Sequence, residues 1–150
     1  MSSNVESLIW VTEDSAPLEI TIYLYVDQKE SRISSVSKFP IPELLETGLT
    51  ESQLVSQWSI PSRANMESYR RKSARFNPTT GTLVVDDLIV SDCVVANHLR
   101  GLSIDGIEIE LERDESQALT QKSLDKVKSL QSGIFDLLYD KYRSEACLFT

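Results

Sequence analysis

The chain predicts an α+β fold, a small N-terminal antiparallel sheet followed by a mainly helical C-terminal region. Three observations carry that reading. Residues 18–26, LEITIYLYV, alternate strictly, which is the period-two signature of a half-buried strand. Residues 86–102 hold a wide apolar stripe behind two aspartates suited to cap a helix. Residues 124–138 repeat apolar side chains at a 3.6-residue period. A length of 150 residues fits one domain, 1–150, with room for a single hydrophobic core.

Within the β-rich residues 1–40, Leu8–Val11 reads as a short strand. Leu18, Ile20, Ile22, Leu24 and Val26 form the buried face of the main one, with Glu19, Thr21, Tyr23 and Tyr25 opposite. A turn at Asp27–Glu30 leads to a weaker strand over Arg32–Phe39, giving a meander. Pro40 and Pro42 close this unit. Pro42 can start a short helix over 43–47, which Gly48 stops. Thr50 and Gln53 have capping-box spacing, which predicts a helical turn or two through about Gln57. Pro61 restarts the chain, and Ser62 caps a helix over 63–76 on which Met66, Tyr69, Ser73 and Phe76 share a narrow face. Asn77-Pro78 ends it and Thr79-Thr80-Gly81 makes a turn.

Asp86 or Asp87 then caps a third helix. Its row Leu88, Asp92, Val95, Leu99 and Leu102, flanked by Ile89, Cys93 and Ala96, is expected at the centre of the core, with Gly101 as the C′ residue. Asp105-Gly106 joins Leu102–Ile104 to a strand in which Ile107, Ile109 and Leu111 alternate with Glu108, Glu110 and Glu112. The outer face of that strand is entirely acidic. In the C-terminal third the apolar period runs through Leu124, Val127, Leu130, Ile134, Leu137 and Leu138, and Ser132-Gly133 either divides or bends the helix. The expected core comprises Leu18, Ile20, Ile22, Val95, Leu99, Leu130, Ile134 and Leu137.

Composition narrows the function. The apolar share of 41% and the charged share of 25% are ordinary for a globular protein and argue against wholesale disorder. A net charge of −8 argues against general affinity for nucleic acid or for an anionic membrane. No apolar run approaches the ~20 residues that span a bilayer. The start, MSSNVESLIW, lacks a basic leader with an apolar core, so a secretory signal is not expected. Cys93 and Cys147 form no metal or redox spacing, which fits reduced thiols in a cytosolic protein.

Catalytic chemistry finds little support. His98, the sole histidine, lies near the end of the third helix. A structural or surface role there is expected, since no nucleophile or carboxylate partner can be assigned to it. Asp86, Asp87 and Asp92 could be read as a carboxylate cluster for Mg²⁺, but helix capping accounts for Asp86 or Asp87, and the tight oxygen-ligand spacing of a metal loop is missing. Cys93, among Ile89, Val94 and Ala96, reads as a small core residue. No catalytic residue, no metal and no cofactor is expected.

The one unusual stretch runs from Trp58 to Gly81. It holds Arg63, Arg70, Arg71, Lys72 and Arg75, a third of the positive side chains of an acidic protein. Residues 62–76 carry a net charge of +4 while the remainder carries −12. Three readings stand: a solvated helix satisfied by carboxylates of the same chain, a recognition helix for an acidic or amphipathic protein, and a nucleic-acid surface. The overall charge disfavours the last. The candidate partner-binding residues are Arg63, Arg70, Arg71, Lys72 and Arg75, with Glu108 and Glu110 of the acidic face.

The run Trp58-Ser59-Ile60-Pro61, an arginine-rich helix ending Arg75-Phe76-Asn77-Pro78, then Thr80-Gly81 and an apolar helix resembles tail assembly chaperones of tailed bacteriophages. That family's pattern is a W/Y-x-I/V-P entry, a charged helix, a Y/F-[ND]-P-x-[TS]-G turn and leucine-rich helices afterwards. The resemblance covers about residues 54–145, and residues 1–40 lie outside it. It extends to small phage proteins that assist baseplate or hub assembly. It implies a non-enzymatic protein in the cytoplasm of the infected bacterium that coats the apolar tape-measure protein and recruits tail-tube subunits. The alternatives it leaves open are a virion component of the baseplate, neck or tail and, beyond the family, a host-directed or nucleic-acid-associated adaptor. Self-association is compatible with each.

Overall fold

Residues 17–146 are described by a computed structural model of the chain. The expected strand at Leu8–Val11 lies outside the described residues, as does Cys147. Mixed α+β architecture is present, built on a five-stranded antiparallel sheet of order β2-β1-β3-β6-β7. Its strands are β1 (Leu18–Asp27), β2 (Arg32–Ser37), β3 (Thr50–Trp58), β6 (Leu99–Ile104) and β7 (Ile107–Glu108). A separate hairpin pairs β4 (Ala74–Asn77) with β5 (Thr82–Val85). The helices are α1 (Arg63–Ser73), α2 (Asp87–His98), α3 (Gln121–Lys128) and α4 (Ser132–Glu145), with a short 3-10 helix at Pro42–Thr47. No helix among the described residues is long and apolar enough to cross a membrane.

β1 follows its predicted alternation through Leu24, but Tyr25, assigned to the opposite face, is fully buried where the register shifts before Val26, and its hydroxyl accepts from the Ile41 amide. Ile20, Ile22 and Leu24 are buried in the main core, and the Asp27 carboxylate closes the following turn by accepting from the Lys29 and Glu30 amides. The capping-box reading of Thr50–Gln57 is overturned. This segment is β3, the middle strand of the sheet, paired with β1 along its length and with β6 on its other side. Leu54, Ser56 and Trp58 face inward with period two, and long-range ladders on both sides outweigh one local cap. Ser56 is tolerated at full burial because its Oγ accepts from Trp58 Nε1 (2.7 Å) and donates to the Ile20 carbonyl (3.0 Å).

Ser62 caps α1 as expected, within a reciprocal pair with Asn65. The helix stops at Ser73, however, and Phe76 belongs to β4. Asp86 caps α2 through the Leu88 amide. The face of α2 also differs from the expected row: Val90, Val94, Val95 and His98 are buried, whereas Leu88 is exposed and Asp92 pairs with Lys128 at 2.9 Å. The chain turns into β6 at Leu99, so Gly101 sits opposite Gln57 within a strand and does not end a helix. Leu99 and Leu102 reach the core from that strand. Ser132-Gly133 falls at the start of α4, and the C-terminal region is two helices.

The core lies between the inner face of the sheet and the helices. Trp58 stacks on Tyr142 of α4 at 4.0 Å between ring centroids, in the geometry that adds to simple area burial. Ile20, Ile22, Val95, Leu99 and Ile134 are buried as expected. Leu18 and Leu130 are partly buried against the core, and Leu138 takes the inward place assigned to Leu137.

Two cations cover backbone carbonyls beside the short edge strands of the sheet. Beyond the end of β2, Lys141 Nζ donates to the Thr21 carbonyl of β1 and to the Lys38 carbonyl. Beyond β7, the Arg113 guanidinium donates to the Leu99 and Arg100 carbonyls of β6. Occupied carbonyls of this kind keep an edge from recruiting a foreign strand.

Candidate functional site

Two features merit consideration as a site: the buried histidine and the hairpin with its basic helix. His98 ends α2 beneath the core, and both ring nitrogens are engaged. Nδ1 lies 2.8 Å from Ser59 Oγ and Nε2 lies 2.7 Å from the Tyr69 hydroxyl. The Ser59 amide donates to the His98 carbonyl, and the Tyr142 hydroxyl donates to the Ser59 carbonyl. Each hydroxyl can donate or accept, so a neutral imidazole is satisfied in either tautomer. Burial, with Arg100 nearby, lowers the His98 pKa to about 4, and burial pushes Tyr69 up to about 12. Ser59, His98 and Tyr69 thus form a neutral chain of hydrogen bonds joining the end of β3 to α1 and α2.

A serine beside an imidazole invites comparison with a hydrolytic pair, but the arrangement is different. The second imidazole nitrogen meets a phenol, so among the described residues the ring lacks the carboxylate partner that steadies an imidazolium during proton transfer. His98 and Tyr69 are buried. Two surface cavities, of about 320 and 480 Å³, open elsewhere and neither borders His98. The network holds elements together, which fits the structural role read from the sequence.

Capping and pairing occupy Asp86 and Asp92, and Asp87 lies in the first turn of α2, where the helix dipole favours an acid. Asp86 caps α2 and lies 3.8 Å from Arg75, and Asp92 pairs with Lys128. Cys93 is half-buried against the core, where burial raises its thiol pKa.

The basic residues converge on α1 and the strand after it. Arg70, Arg71 and Lys72 occupy the last turn of α1, where the helix dipole favours cations. Arg63 reaches Glu67 at 3.1 Å and Arg71 reaches it at 4.0 Å, while Arg75 turns toward Asp86. These compensating carboxylates are local and do not come from the acidic ridge. Glu108 and Glu110 are exposed at the far side of β6, where Glu112 pairs weakly with Lys122 of α3. α1 packs on α2 and β5, so the two halves of the candidate partner surface lie on different elements.

The sequence reading missed the hairpin itself. Its register sets Ala74 opposite Val85, Arg75 opposite Val84, Phe76 opposite Leu83 and Asn77 opposite Thr82. Opposed residues share a face and faces alternate. One face is therefore Ala74, Phe76, Leu83 and Val85, all apolar, and the other carries Arg75, Val84, Asn77 and Thr82. Phe76 is 65% exposed and Leu83 is 73% exposed, with Val84 and Val85 also exposed. Leu88, in the first turn of α2, is 77% exposed. The signal was present as two short runs, ARF and TLVV, flanking Asn-Pro-Thr-Thr-Gly, but the helical charge pattern upstream masked it. No family model, no curated protein and no solved structure matches the chain.

Proposed function

We propose that the protein is a non-enzymatic assembly factor for the tail of a tailed bacteriophage, holding an apolar, acid-flanked segment of the tape-measure protein against its β4–β5 hairpin. One observation carries the reading: an amphipathic hairpin whose apolar face is exposed, set beside the most basic helix of an acidic chain. Exposed apolar side chains grouped on one face are the ordinary mark of a protein-binding surface. The surrounding arginines favour a partner whose helix carries acidic side chains at the rim of its apolar stripe. The Trp58-to-Gly81 run that resembles tail assembly chaperones supplies the basic helix, β4 and the hairpin turn of this surface, and β5 follows it directly. The buried, fully engaged His98 is consistent with a protein whose work is binding.

Co-expression with the tape-measure protein of the same phage tests this. The expected result is that the tape measure stays soluble with the wild-type chain and precipitates with Phe76→Asp/Leu83→Asp, which should fold because both positions are exposed. A tape measure whose solubility is indifferent to the chain would overturn the reading. Retention of the chain in purified particles would make it a virion component of the baseplate, neck or tail instead.

A further inference from the structure

We propose that α1 and the β4–β5 hairpin, between Pro61 and Asp86, form a flap that mild acid opens, with His98 as its latch. The device needs no partner, and it stands whether or not the hairpin engages a tail protein. The flap is an excursion from the main fold. α1 packs on α2 and β5, and it sends Met66 and Tyr69 into the core. α2, by contrast, also packs on β6 and α3. It is held there by the Leu119 amide, which donates to the Ala96 carbonyl at 2.8 Å, and by the Asp92–Lys128 pair. Lifting the flap therefore exposes few large side chains and leaves the sheet, α2 and the C-terminal helices in place. Units with few buried contacts open ahead of global unfolding.

The latch lies on the seam between α1 and α2. His98 ends α2 and meets Tyr69 of α1 edge-on, with ring centroids 5.7 Å apart and Nε2 2.7 Å from the phenol oxygen. Its Nδ1 lies 2.8 Å from Ser59 Oγ, where the chain leads into α1. A neutral ring accepts from one of these hydroxyls and donates to the other. A second proton on the ring reverses one of the two bonds. Both nitrogens then donate, and the hydroxyl proton that the ring had accepted is turned away inside the fold.

The other groups facing the ring give no relief. They are Arg100 of β6, a cation of the same sign, and, beside Tyr69, the Cys93 thiol of α2. No carboxylate among the described residues faces the imidazole. Burial and Arg100 hold the closed ring at about 4, whereas a ring freed by the lifted flap regains its ordinary 6.5. Below pH 6.5 the open form takes up the proton that the closed form refuses, so opening gains as pH falls. The open population rises about twentyfold from pH 7 to pH 5 on those values. Phe76, Leu83 and the basic end of α1 ride on the flap, so the latch governs how that face is presented.

Hydrogen exchange of the full chain, read by mass spectrometry at pH 7 and pH 5 and corrected for the intrinsic rate, tests this. Peptides covering α1 should open about twentyfold more at pH 5, and at both values they should exchange well before those of β1 and β3. His98→Gln, which cannot titrate, should remove the pH response of α1. Tyr69→Phe should open α1 at least about fivefold more at pH 7 while β1 and β3 stay protected. A single common opening for α1, β1 and β3 at both pH values would overturn the proposal. So would a His98→Gln chain whose α1 keeps the wild-type response to acid.

Discussion

At the scale of single residues, His98 is where chemistry and stability meet. Its pKa falls from 6.5 in the unfolded chain to about 4 in the fold, mainly through burial. The unfolded state therefore binds the proton more readily between those values, and stability must fall as pH drops through that window. The sign follows directly: the contribution is fully present above pH 6.5 and is lost progressively as pH approaches 4. The total loss is about 3 kcal/mol at 1.36 kcal/mol per unit. The carboxylates held low by their partners, Asp114 by Ser116 and Asp140 by Lys38, have ordinary values of 3.8 and act below this range. Urea unfolding from pH 8 to 4.5 should show the decline in wild type and a flatter profile in His98→Gln. Equal slopes would mean that the imidazole is not buried as described. Tyr69→Phe, which leaves one imidazole nitrogen without its partner, should cost about 1–3 kcal/mol at neutral pH.

At the scale of elements, leucines of similar sequence character separate sharply. Leu99 is fully buried on β6 and Leu88 is exposed on α2, although both lie on one row when the segment is read as a continuous helix. Leu99→Ala should cost about 2–5 kcal/mol, and Leu88→Ala or Leu83→Ala should stay within roughly 0.5 kcal/mol. Chemical denaturation of the three variants decides whether the break between α2 and β6 is correctly placed.

That break also marks how far the sequence could be read. Patterns closed within a few residues were legible: the β1 alternation through Leu24, the Ser62 cap, the aspartate cap at 86 or 87 and the Gly48 stop. Those decided by distant partners were not. Thr50–Trp58 carries a local helix cap, but its two neighbouring strands come from residues 18–26 and 99–104. α2 ends where β3 needs a partner, and no local residue announces it. The candidate site was half legible. Charge placed the basic helix, whereas the apolar face beside it appears only once the β4–β5 register is known.

At the scale of the whole molecule, two side chains cover carbonyls that the short edge strands leave unpaired. Lys141 covers a carbonyl on one margin and Arg113 covers two on the other. These guards are not equally durable. A guanidinium keeps its charge and its donors under all ordinary conditions, whereas a lysine amine is open to acylation. Acetylating Lys141, or replacing it by Gln as a mimic, would remove the ammonium from the Thr21 carbonyl while Arg113 keeps its hold on the Leu99 and Arg100 carbonyls. The damaged molecule would then be sticky on a single side. Lys141→Gln should accordingly form pairs or slow fibrillar deposits, detected by light scattering and a β-specific dye, at concentrations where Arg113-guarded wild type stays clear. A clear Lys141→Gln solution would mean that the terminal helix shields that margin without the amine.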